Sequence, residues 1–307
     1  MTPPLPDTIQ FTKINAGGND FICIDNTTGI YTELLESPHL SAFVRAMCRR
    51  GLAVGADGVI FAGERGDGHG IDIVARFMEP DGSEARLCGN GTACFAYWCL
   101  DLGLVTGPEI HILTAAGTAQ ARPDPGLSHR ITVCVPNPRN LELCVDISIQ
   151  RELKRVHILD TGVPHAVVFV DDLEGVDVLR EGGAIRWHER FHAMGGVNVN
   201  FTQVIDEGQI AVRTFEFGVE NETLACGTGS TAAAIVSAIL MEWPEKYLTG
   251  QEPVSVRVRG EETLRIWFRR GPDQVFTDTC LETGARPVFE GTLRGEFVAR
   301  LLRGGND

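Results

Sequence analysis

The chain has 307 residues, 43% of them hydrophobic, enough for a sizeable core and, by length, for two domains. Its 41 acidic against 27 basic residues give a formal net charge of -14, a field that repels phosphate backbones and anionic headgroups and argues against nucleic-acid and membrane partners. The N-terminal residues lack the basic start and apolar run of a signal peptide, and the best apolar run, Ala232 to Met241, is too short to span a bilayer, so a soluble cytoplasmic protein is expected.

In chain order, Phe21 to Ile24 reads as a first buried strand, and Gly63 to Gly70, where glycines alternate with charges, reads as an exposed loop. Next comes Glu84-Ala-Arg-Leu-Cys88-Gly-Asn-Gly-Thr92, which turns apolar and predicts a helix over Thr92 to Leu100. The turn-forming Ala121 to Gly126 is a candidate boundary between halves. Strand-like runs follow at Val133 to Val135, Ala166 to Val170 and Ala211 to Phe215, and a last one at Val254 to Val258. Between them, Glu222-Thr-Leu-Ala-Cys226-Gly-Thr-Gly-Ser230 repeats the earlier E-x-x-x-C-G-x-G-[TS] pattern and feeds Ser230 to Met241, apolar almost all round and therefore a buried central helix. A repeat at this separation indicates two similar half-molecules, since solenoid repeats recur about every 20 to 50 residues.

Nine cysteines in a chain without C-x-x-C spacing are expected to be mostly reduced thiols. Cys23, Cys48, Cys94, Cys99, Cys134, Cys144 and Cys280 read as small core hydrophobes. Cys88 and Cys226 differ because each opens a helix. A C-G-x-G turn there sets the thiol beside unpaired backbone N–H groups and the positive end of the helix dipole, which favours thiolate. The same N–H groups make an anion site suited to an amino acid's α-carboxylate. Dipoles aimed at that carboxylate stabilise the charge that develops when the α-proton leaves, with no metal or other cofactor formally needed. Two near-equivalent thiols supply the base and the acid that stereoinversion requires. The bland alternative is a pair of tight glycine turns with buried thiols.

In these residues the chain resembles the diaminopimelate epimerase family of PLP-independent amino-acid racemases and epimerases. The likeness runs through Phe11 to Phe21, Gly55 to Gly58, Asp81 to Gly91, Gly162 to His165, Asn198 to Phe201 and Arg213 to Gly229, in the family's order. The resemblance implies an α/β fold of two pseudo-symmetric domains, each a curved mixed or antiparallel sheet wrapped around a central helix, with the active site in the cleft between them. Domains over residues 1–124 and 125–287 are expected, with residues 288–307 packing back on the first. It further implies Cys88 and Cys226 as the catalytic pair, and Gly89, Asn90, Gly227 and Thr228 as carriers of the amides that face the α-carboxylate. Asn19 and Asn198 match substrate-contacting asparagines, while His165 and Glu216 match residues near the reacting carbon or the substrate amine. A small-molecule amino acid is the expected partner, lysine biosynthesis the expected setting, and a homodimer one option for the assembly.

The chain departs from the family where diaminopimelate's second carboxylate is held. The family uses an Arg directly after the Glu matching Glu216 and an Asn nine residues before the first cysteine; here Phe217 and Glu79 stand there. Phe in place of an Arg fork, with a Glu nearby, leaves a carboxylate unpaired and repelled, which points to a basic or apolar amino acid as an alternative substrate. Milder departures are Gly58 and Val163. In the other direction, Glu79 facing solvent with Arg76 or Arg86 binding the distal carboxylate retains diaminopimelate. A catalytically silent amino-acid-binding protein is the rival from another class. His188-Glu-Arg-Phe-His192 spells the zinc-protease pattern, but it is short and glycine-flanked, and no metal site is expected. Neither a phosphate loop nor a dinucleotide fingerprint is present.

Overall fold

In the computed structural model the described residues are 7–66, 70–85, 88–127, 129–149 and 151–302. They form two compact units, one of Met1–Val133 with Gly284–Asp307, the other of Cys134–Thr283. The strands in chain order are β1 (Thr8–Ala16), β2 (Asn19–Asp25), β3 (Gly58–Arg65), β4 (Ile73–Met78), β5 (Ile110–Thr114), β6 (Gly117–Pro123) and β7 (Arg130–Cys134). There follow β8 (Arg139–Ile149), β9 (Glu152–Asp160), β10 (Pro164–Phe169), β11 (Asn198–Asp206), β12 (Gln209–Glu216), β13 (Asn221–Thr223), β14 (Val254–Val258), β15 (Thr263–Arg270) and the long β16 (Phe276–Arg294). The helices are α1 (Thr32–Leu35), α2 (Leu40–Cys48), α3 (Gly89–Asp101), α4 (Val178–Arg186), α5 (Gly227–Leu240), α6 (Glu245–Leu248) and α7 (Gly295–Leu302).

In the first unit β1 to β7 lie side by side in sequence order, and β16 pairs with both ends of the row, closing eight strands into a barrel. The β1 edge of that closure runs from Thr8 against Arg294 to Ala16 against Ala285. Alternating burial along β5 and β7 sends every second side chain inward. The barrel is filled by α3, whose Ala93, Cys94, Phe95, Ala96, Trp98 and Cys99 pack against Ile14, Ile60, Ile73, Ile110 and Val133. A helix surrounded by sheet must be apolar all round, which is what the run after Cys88 supplies. The Trp98 indole N–H donates to Thr12 Oγ1 at 2.9 Å and fixes the helix to β1. A separate cluster around Phe43, Val44, Met47 and Val298 binds α2 and α7 to the other face of the sheet.

The second unit repeats this topology. From β1 to β6 the pairings run antiparallel, parallel, antiparallel, parallel, antiparallel. From β9 through β10, β11, β12, β14 and β15 they run in the same order. The buried helix holds the same place in both halves, α3 between β4 and β5 and α5 between β12 and β14. Around α5, Ile210, Val212, Val256, Leu264, Ile266 and Phe276 make the second core. Ala121 to Gly126 ends β6 and enters the turn to β7 inside the first unit, where Asp124 Oδ1 accepts the N–H groups of Gly126 and Leu127. Gly63 to Arg65, expected in an exposed loop, continue β3, and residues 67–69 of that stretch lie outside the described residues. No helix among the described residues is long and apolar enough to cross a membrane.

Of the cysteines expected in the core, Cys23, Cys48, Cys94 and Cys99 are buried there. Burial drives the Cys23 and Cys99 thiols far above their ordinary value and Cys48 up to about 12, so these are packing groups and poor nucleophiles. Two expectations are corrected. Cys144 is exposed, at a positive φ in a bulged stretch of β8. Cys134 and Cys280 are joined as a disulfide, their Cα atoms 4.0 Å apart, next to a rung in which the Val135 N–H donates to Thr279 O. Spacing along the chain gave no sign of this pair, because 146 residues separate them.

Candidate active site

Both singled-out cysteines are helix N-caps with nearly the same backbone: φ -132° and ψ 118° at Cys88, φ -132° and ψ 109° at Cys226. Each carbonyl starts its helix, accepting from Thr92 N–H at 2.7 Å and from Ser230 N–H at 2.8 Å. Gly89, Asn90 and Gly91 in one unit, and Gly227, Thr228 and Gly229 in the other, therefore sit in first turns, where backbone N–H groups have no intrahelical acceptor. Cys88 Sγ accepts the Gly91 N–H at 3.4 Å, and Cys226 Sγ lies 3.5 Å from Thr228 Oγ1.

Close packing at the second glycine explains the C-G-x-G spacing. A Cβ at Gly91 would fall 3.2 Å from the rings of Phe21 and Phe77, and one at Gly229 only 2.1 Å from Asn200 Oδ1. Gly229 lets the helix end approach Asn200 more closely than any other residue permits, while Gly91 sits in tight contact with its neighbours.

In the first unit, Asn90 donates through Nδ2 to Asn19 Oδ1 at 2.8 Å, and Asn19 Nδ2 donates to Asp57 Oδ2 at 3.3 Å. The chain of contacts continues through Arg50, which bridges Asp57 and Asp20, to the buried Lys13, which ion-pairs with Asp20 at 2.8 Å and donates to Gly55 O. Burial raises the Asp20 carboxyl, but Arg50 and Lys13 outweigh it and hold it at about 2. Asn19 and Asn90 are thus set by a charged lattice behind the α3 cap.

Glu79 stands exposed in the turn after β4, where the Gly82 N–H donates to its carbonyl. Surrounding protein, then the charges of Asp81 and Asp57, push its carboxyl above the ordinary value. Arg76 donates to Leu35 O at 2.7 Å and pairs with Glu84 at 3.0 Å, while Arg86 lies outside the described residues.

In the second unit, Asn198 bridges two segments: its Nδ2 donates to Pro164 O at 3.2 Å and its Oδ1 accepts the Phe217 N–H at 2.9 Å. That amide therefore ties the Phe217 backbone to Pro164 at the start of β10. Phe217 is half exposed, and the Arg186 guanidinium lies over its ring at 4.1 Å and over Trp187 at 4.3 Å. Arg186 is itself buried and ion-paired to Glu220 at 3.2 Å. Glu216 ends β12, paired in register with Asn221.

His165 is fully buried on β10, and burial pushes its imidazole down to about 3. Its Nδ1 faces Asn200 Nδ2 at 3.1 Å. The sequence singled out Asn198 and passed over Asn200, although alternate residues of one strand share a face.

His188 to His192 offers no zinc-protease geometry. Glu189–Met194 is a 3-10 helix, His188 Nδ1 caps it by accepting the Arg190 N–H, and His192 Nε2 donates to Trp187 O. Among the described residues no three His, Cys, Asp or Glu side chains are grouped to hold a metal.

The fold is shared with solved structures of distant sequence. A phenazine biosynthesis protein of the PhzF family from Bacillus anthracis superposes with a TM-score of 0.70 at 18% identity, covering 94% of this chain and 99% of that one. A probable proline racemase from Agrobacterium radiobacter K84 gives 0.66 at 14% identity, covering 92% of each chain. These likenesses define the fold, in which each half of this chain places a cysteine-capped helix. Within it, the family model for diaminopimelate epimerase matches residues 11–124 and 157–279. The diaminopimelate epimerase of Aquifex aeolicus is 39% identical over 94% of this chain and 99% of its own, and that of Archaeoglobus fulgidus 36% over 93% and 96%. The chain belongs to the diaminopimelate epimerase family, a family of isomerases.

Proposed function

We propose that the chain inverts an amino-acid α-carbon by two-base proton transfer without a cofactor, with Cys88 and Cys226 as the two acid/base groups and diaminopimelate as the substrate. The observation that carries this reading is the matched pair of cysteine N-caps, alike in dihedral angles and each opening a buried helix. One thiolate takes the α-proton, so that an S–H bond forms as the C–H bond breaks. The electron pair is delocalised into the α-carboxylate, held by the N–H groups of Gly89, Asn90, Gly227 and Thr228. The other thiol returns a proton to the opposite face, and the roles of the thiols are exchanged for the next turnover. His165 and Glu216 stand near the reacting carbon or the substrate amine.

A second reading, inversion of a basic or apolar amino acid, is favoured by one observation. Phe217 stacks on an Arg186 already committed to Glu220, and Glu79 shares its neighbourhood with Asp57 and Asp81. Neither arrangement offers a ready cation to a distal carboxylate.

The test is α-deuteration and stereochemical change in heavy water, with reduced protein and stereopure diaminopimelate beside a panel of basic, apolar and polar amino acids. Inversion of diaminopimelate, lowered at least about 100-fold by Cys88→Ala or Cys226→Ala, supports the first reading. Inversion confined to another amino acid moves the assignment to the second. No exchange on any substrate overturns both and leaves an amino-acid-binding protein.

A further inference from the structure

Asn200 is fully buried on β11 and makes three side-chain hydrogen bonds. Its Nδ2 lies 3.3 Å from Ala166 O, and a carbonyl only accepts, so this end of the amide is the NH2. The opposite end accepts from Thr214 Oγ1 at 3.0 Å. The second N–H of the same Nδ2 meets His165 Nδ1 at 3.1 Å, which must therefore be the ring's unprotonated nitrogen. The proton of a neutral imidazole then belongs on Nε2, a buried atom with no hydrogen-bond partner among the described residues. Asn200 Oδ1 also abuts the first turn of α5, within 2.1 Å of where a Gly229 Cβ would stand.

We infer that Asn200 is a positioning residue that holds His165 as the Nε2–H tautomer, so that the ring serves the reaction as a hydrogen-bond donor and not as a base. The inference rests on the reading that Cys226 and His165 belong to the reaction centre. An Nε2 that already carries a proton cannot accept the α-proton, so proton abstraction in this unit is left to the Cys226 thiolate. Burial disfavours the imidazolium, and Asp160, the charged group acting on the ring, does not restore it. A donor in a dry site gains strength when charge builds on a partner. The same amide reaches α5, so one side chain sets both the tautomer and the seat of the Cys226 helix turn.

The test uses the full chain with 15N-labelled histidine, its His165 ring signals assigned by their loss in His165→Gln. Long-range proton–nitrogen correlation is expected to show Nδ1 bare and Nε2 protonated between about pH 5 and 8. Asn200→Asp places a carboxylate against Nδ1 and is expected to invert the tautomer, lowering kcat for α-deuteration at least about tenfold with KM little changed. Thr214→Val removes the donor to Oδ1 and should give a mixture of tautomers with a smaller loss, which keeps the test open should Asn200→Asp not fold. Nδ1 protonated in the native chain, or an inverted tautomer with unchanged kcat, overturns the inference. Failure of every substrate would sink the proposed reaction while leaving the tautomer assignment to stand or fall on the spectra.

Discussion

Gly229→Ala places a methyl group where the chain has no room. Its Cβ would sit 2.1 Å from Asn200 Oδ1, and Asn200 cannot swing aside without losing its bonds to Thr214, His165 and Ala166. Overpacking of this kind costs about 1–3 kcal/mol, and each disturbed buried hydrogen bond adds about 1 kcal/mol. The better helix propensity of alanine returns up to about 1 kcal/mol. A net loss of about 3–5 kcal/mol follows if all three bonds are disturbed. Gly91→Ala is the internal control, since the atoms nearest its Cβ would be the edges of Phe21 and Phe77 and Cys88 Cβ, at 3.2 to 3.3 Å. A few tenths of an ångström of movement relieves those contacts, so the loss there should stay under about 1 kcal/mol. Urea unfolding followed by circular dichroism measures both. Equal midpoints for the two variants, or a Gly229→Ala protein as stable as its parent, would refute the argument from Asn200.

Acidification should weaken the fold in two windows. His165 stays neutral in the folded chain down to about 3 but takes up a proton near 6.5 when unfolded, so stability is full above 6.5 and falls as pH drops toward 3, by about 1.4 kcal/mol per pH unit in mid-range. Urea midpoints of His165→Phe should lack that slope; a slope left intact counts against the buried neutral ring. Asp20, held at about 2 against an ordinary 3.8, contributes stability above 3.8 that is lost as pH falls toward 2, and Asp20→Asn should flatten that lower window alone. Reducing the Cys134–Cys280 disulfide opens a loop spanning 146 residues, for which a loss of about 2–5 kcal/mol is expected; a melting temperature unmoved by reductant, with free thiols counted, would contradict it.

What the sequence made legible was local and repeated. The C-G-x-G pattern with an apolar run behind it located both buried helices, and it marked their caps because glycine spacing and N-cap geometry act over four residues. The alternation of parallel and antiparallel pairings was not legible, since it depends on partners far apart in the chain. Nor was the double role of β16, whose two halves serve different units under one continuous run of strand. His188 to His192 spells a motif in five residues, which does not fix whether the backbone forms an α-helix or the tighter 3-10 turn found there. Asn200 was within reach: Asn198 and Asn200 share a strand face, and a buried polar residue two places from a proposed site residue has the same neighbours to satisfy.

The first unit is discontinuous in the chain, and its eighth strand comes from beyond Gly284, after the whole of the second unit. During synthesis the ribosome therefore delivers β1 to β7 early but withholds the strand that seals them. The half that begins first finishes last, with both edges of its strand row unpaired while Cys134–Thr283 emerges and collapses around α5. Unpaired edges recruit other strands, so this nascent stage is where aggregation threatens. A chain cut after Thr283 would keep every residue of both cysteine caps and still leave that barrel open.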